Sequence, residues 1–186
     1  MSGGHGHADH SNKKVALVVA IIAALLAFSE TGGKSAQTQA LGDNIEASNL
    51  WSFFQAKTIR QTTLRTAADQ VEAEFKDNPQ GIPAALKAQT ERWRQTAQRY
   101  ETEPDTKEGR RELMARAKAK EQSRDKALSA YHQFEYGSAA FQLAIVLAGA
   151  SALTSVMWLL YVSMGLGVVG AIFTGLGFFA PHLVHF

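Results

Sequence analysis

The chain is 186 residues long, with 19 Lys or Arg, 17 Asp or Glu and no cysteine. The near-balance of charge excludes a nucleic-acid surface, which concentrates one sign on one face, and the lack of cysteine excludes disulfides and thiolate chemistry. Apart from Asp9, Lys13 and Lys14, every charged residue lies between Glu30 and Glu135, and Tyr136–Phe186 contains none.

Residues 1–14 (MSGGHGHADHSNKK) form a Gly- and His-rich tail with nothing to build a core. His5, His7 and His10, with Asp9 among them, are weak metal candidates: neutral imidazoles ligate transition metals, but nothing in the tail fixes a ligand set. No cofactor is expected. Lys13 and Lys14 then abut an unbroken apolar stretch, Val15–Phe28. A basic start, an apolar run and the small-x-small triplet Ala27-Phe28-Ser29 also describe a signal peptide. The stretch reads as an uncleaved anchor, a transmembrane helix over residues 15–31.

Gly32-Gly33 is expected to break or bend that helix as it leaves the lipid, since glycine weakens helix interiors. Residues 32–134 then read as an extramembrane helical domain. Its first helix, about 35–77, carries Leu50, Phe54, Lys57, Gln61, Leu64, Ala68, Val71 and Phe75 at heptad spacing. Asn78-Pro79-Gln80-Gly81-Ile82-Pro83 ends it. A second helix, about 84–101, places Leu86, Thr90, Trp93, Ala97 and Tyr100 on one stripe. After the turn Glu103-Pro104-Asp105, a third helix over 107–134 does the same with Leu113, Ala117, Lys120, Arg124, Ala127, Tyr131 and Phe134.

The uncharged C-terminal run is long enough for two crossings at roughly 20 residues each. It divides at its most polar point, Ser151–Ser155, into transmembrane helices over 135–153 and 157–180, followed by the tail 181–186. Trp158 and Tyr161 at one end, and Tyr131, Phe134 and Tyr136 at the other, suit interfacial aromatic belts. The expected fold is an all-α membrane protein: three transmembrane helices, with a helical coiled-coil domain inserted between the first and second.

Gly32-Gly33-Lys34-Ser35 has the last residues of a phosphate-binding loop, but the earlier glycine position is Phe28 and no strand precedes it. His182 and His185 read as the polar end of the last crossing. In lipid, helices associate through close van der Waals contact, which small residues spaced by four permit. Three such stripes occur: Ala16, Ala20 and Ala24; Ala144, Ala148 and Ala152; Ser163, Gly167, Ala171 and Gly175. They are expected to be membrane-helix interfaces, within the chain or between copies. The spans contain no intramembrane acid or base of the kind that ion paths and proton relays use. Lys57 and Gln61 interrupt the first seam and Lys120 and Arg124 lie at the matching place on the third helix, so two seams are basic at mid-length, and Trp51, Gln55, Lys57 and Arg60 are candidate partner-binding residues.

The segment Ala47-Ser48-Asn49-Leu50-Trp51-Ser52-Phe53-Phe54-Gln55-Ala56-Lys57-Thr58-Ile59-Arg60 resembles a motif of a bacterial inner-membrane family catalogued only as a domain of unknown function. The resemblance runs nearly end to end: a His-containing tail, one membrane helix, a long charged helical loop and a closing membrane hairpin. It implies topology and no activity.

Lys13 and Lys14 favour a cytoplasmic N-terminus, and long loops translocate largely regardless of charge. The expected topology is therefore multi-pass in the bacterial inner membrane, with the middle domain and C-terminus periplasmic. The expected function is a structural or accessory subunit, a homo-oligomer or part of a larger membrane complex, with the lipid bilayer and no nucleic acid as partner. The alternative is an oligomeric pore lined by Gln142, Ser151, Thr154 and Ser155. No nucleophile–base pair supports an enzyme.

Overall fold

The computed structural model describes residues 6–183, with side chains from residue 13 onward. The described residues form four α-helices and no strand: α1 (Gly6–Glu74), α2 (Ala84–Glu101), α3 (Arg110–Thr154) and α4 (Met157–Phe179). Segments of α1, α3 and α4 are each long and apolar enough to cross a membrane. The chain divides into two compact units: an apolar one, from the chain up to Leu41 and from Arg124 on, and a charged one, Gly42–Ser123.

In the apolar unit, α1 turns one aliphatic face toward α3 and α4. Val15 packs with Ala148 and Leu160, and Ile22 packs with Phe141 and Ala144. Phe134 is almost wholly buried and stacks edge-on against Phe178, with ring centroids 4.8 Å apart. Glycines make room for these rings. A Cβ on Gly170 would stand 2.7 Å from the Phe141 ring, and one on Gly177 3.0 Å from the Phe134 ring.

The same logic corrects the expected break at Gly32-Gly33, because α1 runs through both residues without interruption. A Cβ on Gly32 would stand 2.7 Å from Phe134 Cε1, so this glycine serves the close approach of a ring. Glycine costs a helix interior about 0.5–1 kcal/mol relative to alanine. Burial of Phe134 against the bare backbone offsets that.

Buried hydroxyls in the apolar unit are hydrogen-bonded, as burial of polar groups requires. Ser29 Oγ donates to the Phe134 carbonyl at 2.9 Å and accepts from Thr174 Oγ1 at 3.1 Å, joining three helices. Ser163 Oγ donates to the Ala144 carbonyl at 2.7 Å.

In the charged unit, Leu50, Leu113 and Ala117 form the apolar centre, flanked by Trp51 and Phe54. The first helix ends at Glu74 rather than near residue 77. The Asn78 carbonyl accepts from Gly81 N–H at 2.9 Å, and Gly81 adopts φ 67°, a left-handed turn. The third helix starts at Arg110 rather than Lys107, whose φ of 57° is incompatible with a right-handed helix. Glu112 then stabilises the first turn of α3, accepting from Thr102 Oγ1 at 2.7 Å and Glu103 N–H at 3.3 Å.

Candidate functional site

Heptad spacing on α1 brings Lys57 and Gln61 to the inward face, where an all-apolar seam would put aliphatic side chains. Lys57 is 5 % exposed and Gln61 2 %. Such groups are tolerated in a core only with partners. The partners come from the α2–α3 junction. Lys57 Nζ lies 3.1 Å from Glu103 Oε2 and 3.9 Å from Glu108 Oε2, with the rings of Phe53 and Tyr100 5.2 and 5.7 Å away. Gln61 Nε2 donates to the Ala97 carbonyl at 2.9 Å and to Glu101 Oε2 at 3.0 Å, and Oε1 accepts from Arg110 Nη1 at 2.6 Å. Arg110 also donates to Glu101 Oε2 at 2.7 Å and Thr58 Oγ1 at 2.9 Å, and its guanidinium lies over the Phe54 ring.

A second polar cluster sits further along the same seam. Lys120 Nζ lies 3.0 Å from Asp43 and 2.8 Å from Glu46, and Ser123 Oγ donates to Asp43 at 2.7 Å. Trp51 Nε1 donates to Glu121 Oε1 at 2.9 Å. Glu101, Glu103 and Lys120 are held ionised by their partners. The Gln61 amide, followed by Arg110, holds Glu101 below the ordinary carboxylate value, against the opposing effect of burial. Lys57 does the same for Glu103, and Glu46 with Asp43 raises Lys120.

These clusters neutralise charge and fix the register of α1 against α2 and α3. They offer no nucleophile paired with a base. Among the described residues no group of three or more His, Asp or Glu could hold a metal ion. The imidazoles of His5, His7 and His10, and all of His185, lie outside what the structure describes, and His182 is exposed.

The candidate partner residues do not share a surface. Lys57 belongs to the interior, Trp51 is half-buried against Phe54 and Glu121, and Gln55 and Arg60 are exposed. The basic seams meet acids of their own chain. Sequence reasoning missed those acids because Glu101, Glu103 and Glu108 lie near a turn, where periodicity says nothing about which way a side chain faces. The small-residue stripes also divide. Ala144, Ala148, Ser163 and Gly167 are buried within the chain, and Ala152 and Gly175 are half-buried. Ala16, Ala20, Ala24 and Ala171 are exposed. The helix face that α4 buries runs through Leu160, Ser163, Gly167, Gly170 and Gly177, alternating four and three rather than repeating four. Of the suggested pore-lining groups, Ser151 and Thr154 hydroxyls donate to the Val156 and Ala150 carbonyls, and Gln142 is exposed.

The outer face of α1 in the charged unit holds a feature that the inward seam obscured. Ile45, Asn49, Ser52, Ala56, Ile59, Thr63, Thr66 and Gln70 alternate in steps of four and three, all exposed and none charged. Ile59 is 66 % exposed, and a hollow of about 490 Å³ opens beside it, bordered by Thr63, Thr66 and Gln70. Gln55 and Arg60 flank this stripe.

No curated protein and no solved structure matches the chain. Residues 11–180 match a domain of unknown function, DUF4337. With nearly its whole length matched, the chain belongs to the DUF4337 family.

Proposed function

We propose that this protein is a membrane-anchored structural subunit whose charged unit self-associates as a parallel coiled coil through the outer face of α1. The observation that carries the reading is the uncharged stripe from Ile45 to Gln70, at coiled-coil spacing on the side of α1 that the chain itself leaves open. A second copy of the chain is the occupant that fits. Two copies anchored in one bilayer point the same way and hold the same residue at the same depth. Equal positions therefore meet, and the stripe faces itself. Ser52 and Ala56 allow close approach, Ile59 supplies an apolar knob, and Asn49 in the seam selects register. The flanking positions of Gln55 and Arg60 suit a hydrogen bond across such a pair.

The apolar unit is the anchor, with three crossings, in the inner membrane of a bacterium. Lys13 and Lys14 support a cytoplasmic N-terminus and a periplasmic charged unit. Larger assemblies built on the paired α1 helices would make the protein an accessory subunit of a membrane complex.

Cysteine cross-linking in the membrane tests the reading. Ile59→Cys should form an oxidant-induced disulfide dimer, because equal seam positions of parallel helices bring Cα atoms to roughly 6 Å. Ala115→Cys, exposed on α3, should not. Equal cross-linking of both, or of neither, overturns the proposal.

A further inference from the structure

We infer that the apolar unit holds a site for the phosphoethanolamine headgroup of a membrane lipid, in the cleft between α1 and α3 where their apolar spans begin. A cavity of about 380 Å³ opens there, lined by Glu30, Lys34 and Gln37 from α1 and by Tyr131, Glu135 and Ser138 from α3. Its floor is apolar: Phe134 and Gly33, whose added Cβ would already stand 3.3 Å from Phe134 Cβ.

Depth identifies the ligand class. Glu30 is the first charge after the apolar stretch of α1, and Glu135 is the last before the uncharged C-terminal run. Ser29 bonds to the Phe134 carbonyl at 2.9 Å, so the two charged levels lie side by side. On the membrane-anchored reading proposed above, on which this inference rests, that level is the headgroup layer. The cleft carries both signs within one hollow. Among the described residues, Glu30 and Lys34 have no ion-pair partner within 4.0 Å. The carboxylate of Glu135 accepts from Tyr131 Oη at 3.2 Å and lies 3.5 Å from His132 Nδ1, which fixes it at the rim.

A headgroup with a phosphate and a primary ammonium complements this pattern. The ammonium donates N–H bonds toward Glu30 and Glu135, and the phosphate accepts from Lys34. Charge-assisted hydrogen bonds of this kind are the strong ones. A trimethylated ammonium has no N–H to donate. A phosphatidylcholine headgroup therefore keeps the phosphate contact and loses the contact to the acids.

Native mass spectrometry of the full chain released from nanodiscs of phosphatidylethanolamine and phosphatidylcholine in equal parts tests this. The expected result is retention of phosphatidylethanolamine over phosphatidylcholine by at least about tenfold, the worth of one charge-assisted bond. Glu30→Gln with Glu135→Gln should abolish the preference, and Lys34→Gln should weaken retention of both lipids. Soluble glycerophosphoethanolamine should not displace the lipid; displacement would assign the site to a free metabolite. If the double variant loses helix content by circular dichroism, Glu30→Gln alone, at an exposed residue, reads the same preference. Equal retention of the two lipids by the native chain overturns the site but leaves the anchor standing. Failure of the chain to enter nanodiscs at all overturns both.

Discussion

Phe134 shows how much of the apolar unit rests on one ring fitted against bare backbone. Its neighbours Gly32, Gly33 and Gly177 come from two other helices, and any Cβ on Gly32 or Gly177 would press on the ring. The same fit recurs where Gly170 faces Phe141 at 2.7 Å, whereas Gly165 has open space around it. These two glycines of one helix should therefore respond oppositely to alanine. Gly170→Ala is expected to lower stability by about 1–3 kcal/mol through overpacking. Gly165→Ala should raise it by roughly 0.5–1 kcal/mol through helix propensity. Thermal unfolding in detergent reads both, and a matching response would mean that close packing is not what selects Gly170. In the charged unit, Lys57 contributes a buried stem and a paired charge together. Lys57→Ala is expected to cost about 2–4 kcal/mol, since it empties the space beside Phe53 and Tyr100. Lys57→Met keeps the stem and should cost clearly less, by urea unfolding of the two variants side by side.

At the scale of elements, α1 has two contrasting faces, and its sequence discloses them unequally. The heptad of Leu50, Phe54, Leu64 and Ala68 is readable because apolar residues recur on it. The opposite face, built from Ser, Thr, Ala, Asn and Gln with two isoleucines, has no hydrophobic contrast and emerges only once exposure is known. The four-residue spacing in α4 was legible, but the face was misaligned by the extra Gly170, because in so uniformly apolar a helix hydropathy does not distinguish an inward residue from an outward one. The α2–α3 junction was legible only as a turn, although its acids neutralise the seam. That junction gives the charged unit an acid sensitivity. Glu101 and Glu103 sit below the ordinary value of 4.5 when folded, so the folded chain binds fewer protons than the unfolded one. Their stabilisation is complete above about pH 4.5 and disappears as pH falls through the lower folded values. Unfolding midpoints measured against pH should therefore drop on acidification below that point. Glu101→Gln should flatten the profile, and an unchanged slope in that variant would dismiss Glu101 as a source.

For the whole molecule, the proposed topology of three crossings makes a definite prediction about sidedness. Thr106, in the turn between α2 and α3, should lie across the bilayer from Ser155, in the turn between α3 and α4. A membrane-impermeant maleimide applied to intact spheroplasts should label Thr106→Cys and spare Ser155→Cys until the membrane is opened. Labelling of Ser155→Cys alone would reverse the orientation, and labelling of both would remove a crossing. The packing of α1 also has a consequence in time. Val15, Ile22 and Ser29 find their partners in Phe134, Phe141, Ala144, Ala148, Leu160 and Thr174, all 105 residues or more further along the chain. When the start of α1 leaves the ribosome, nothing yet exists for its inner face to rest on. That face stays uncovered, and the Ser29 hydroxyl lacks its Phe134 acceptor, until α3 has been synthesised. A chain released before Arg110, where α3 begins, would therefore leave Val15, Ile22 and Ser29 without any of these partners.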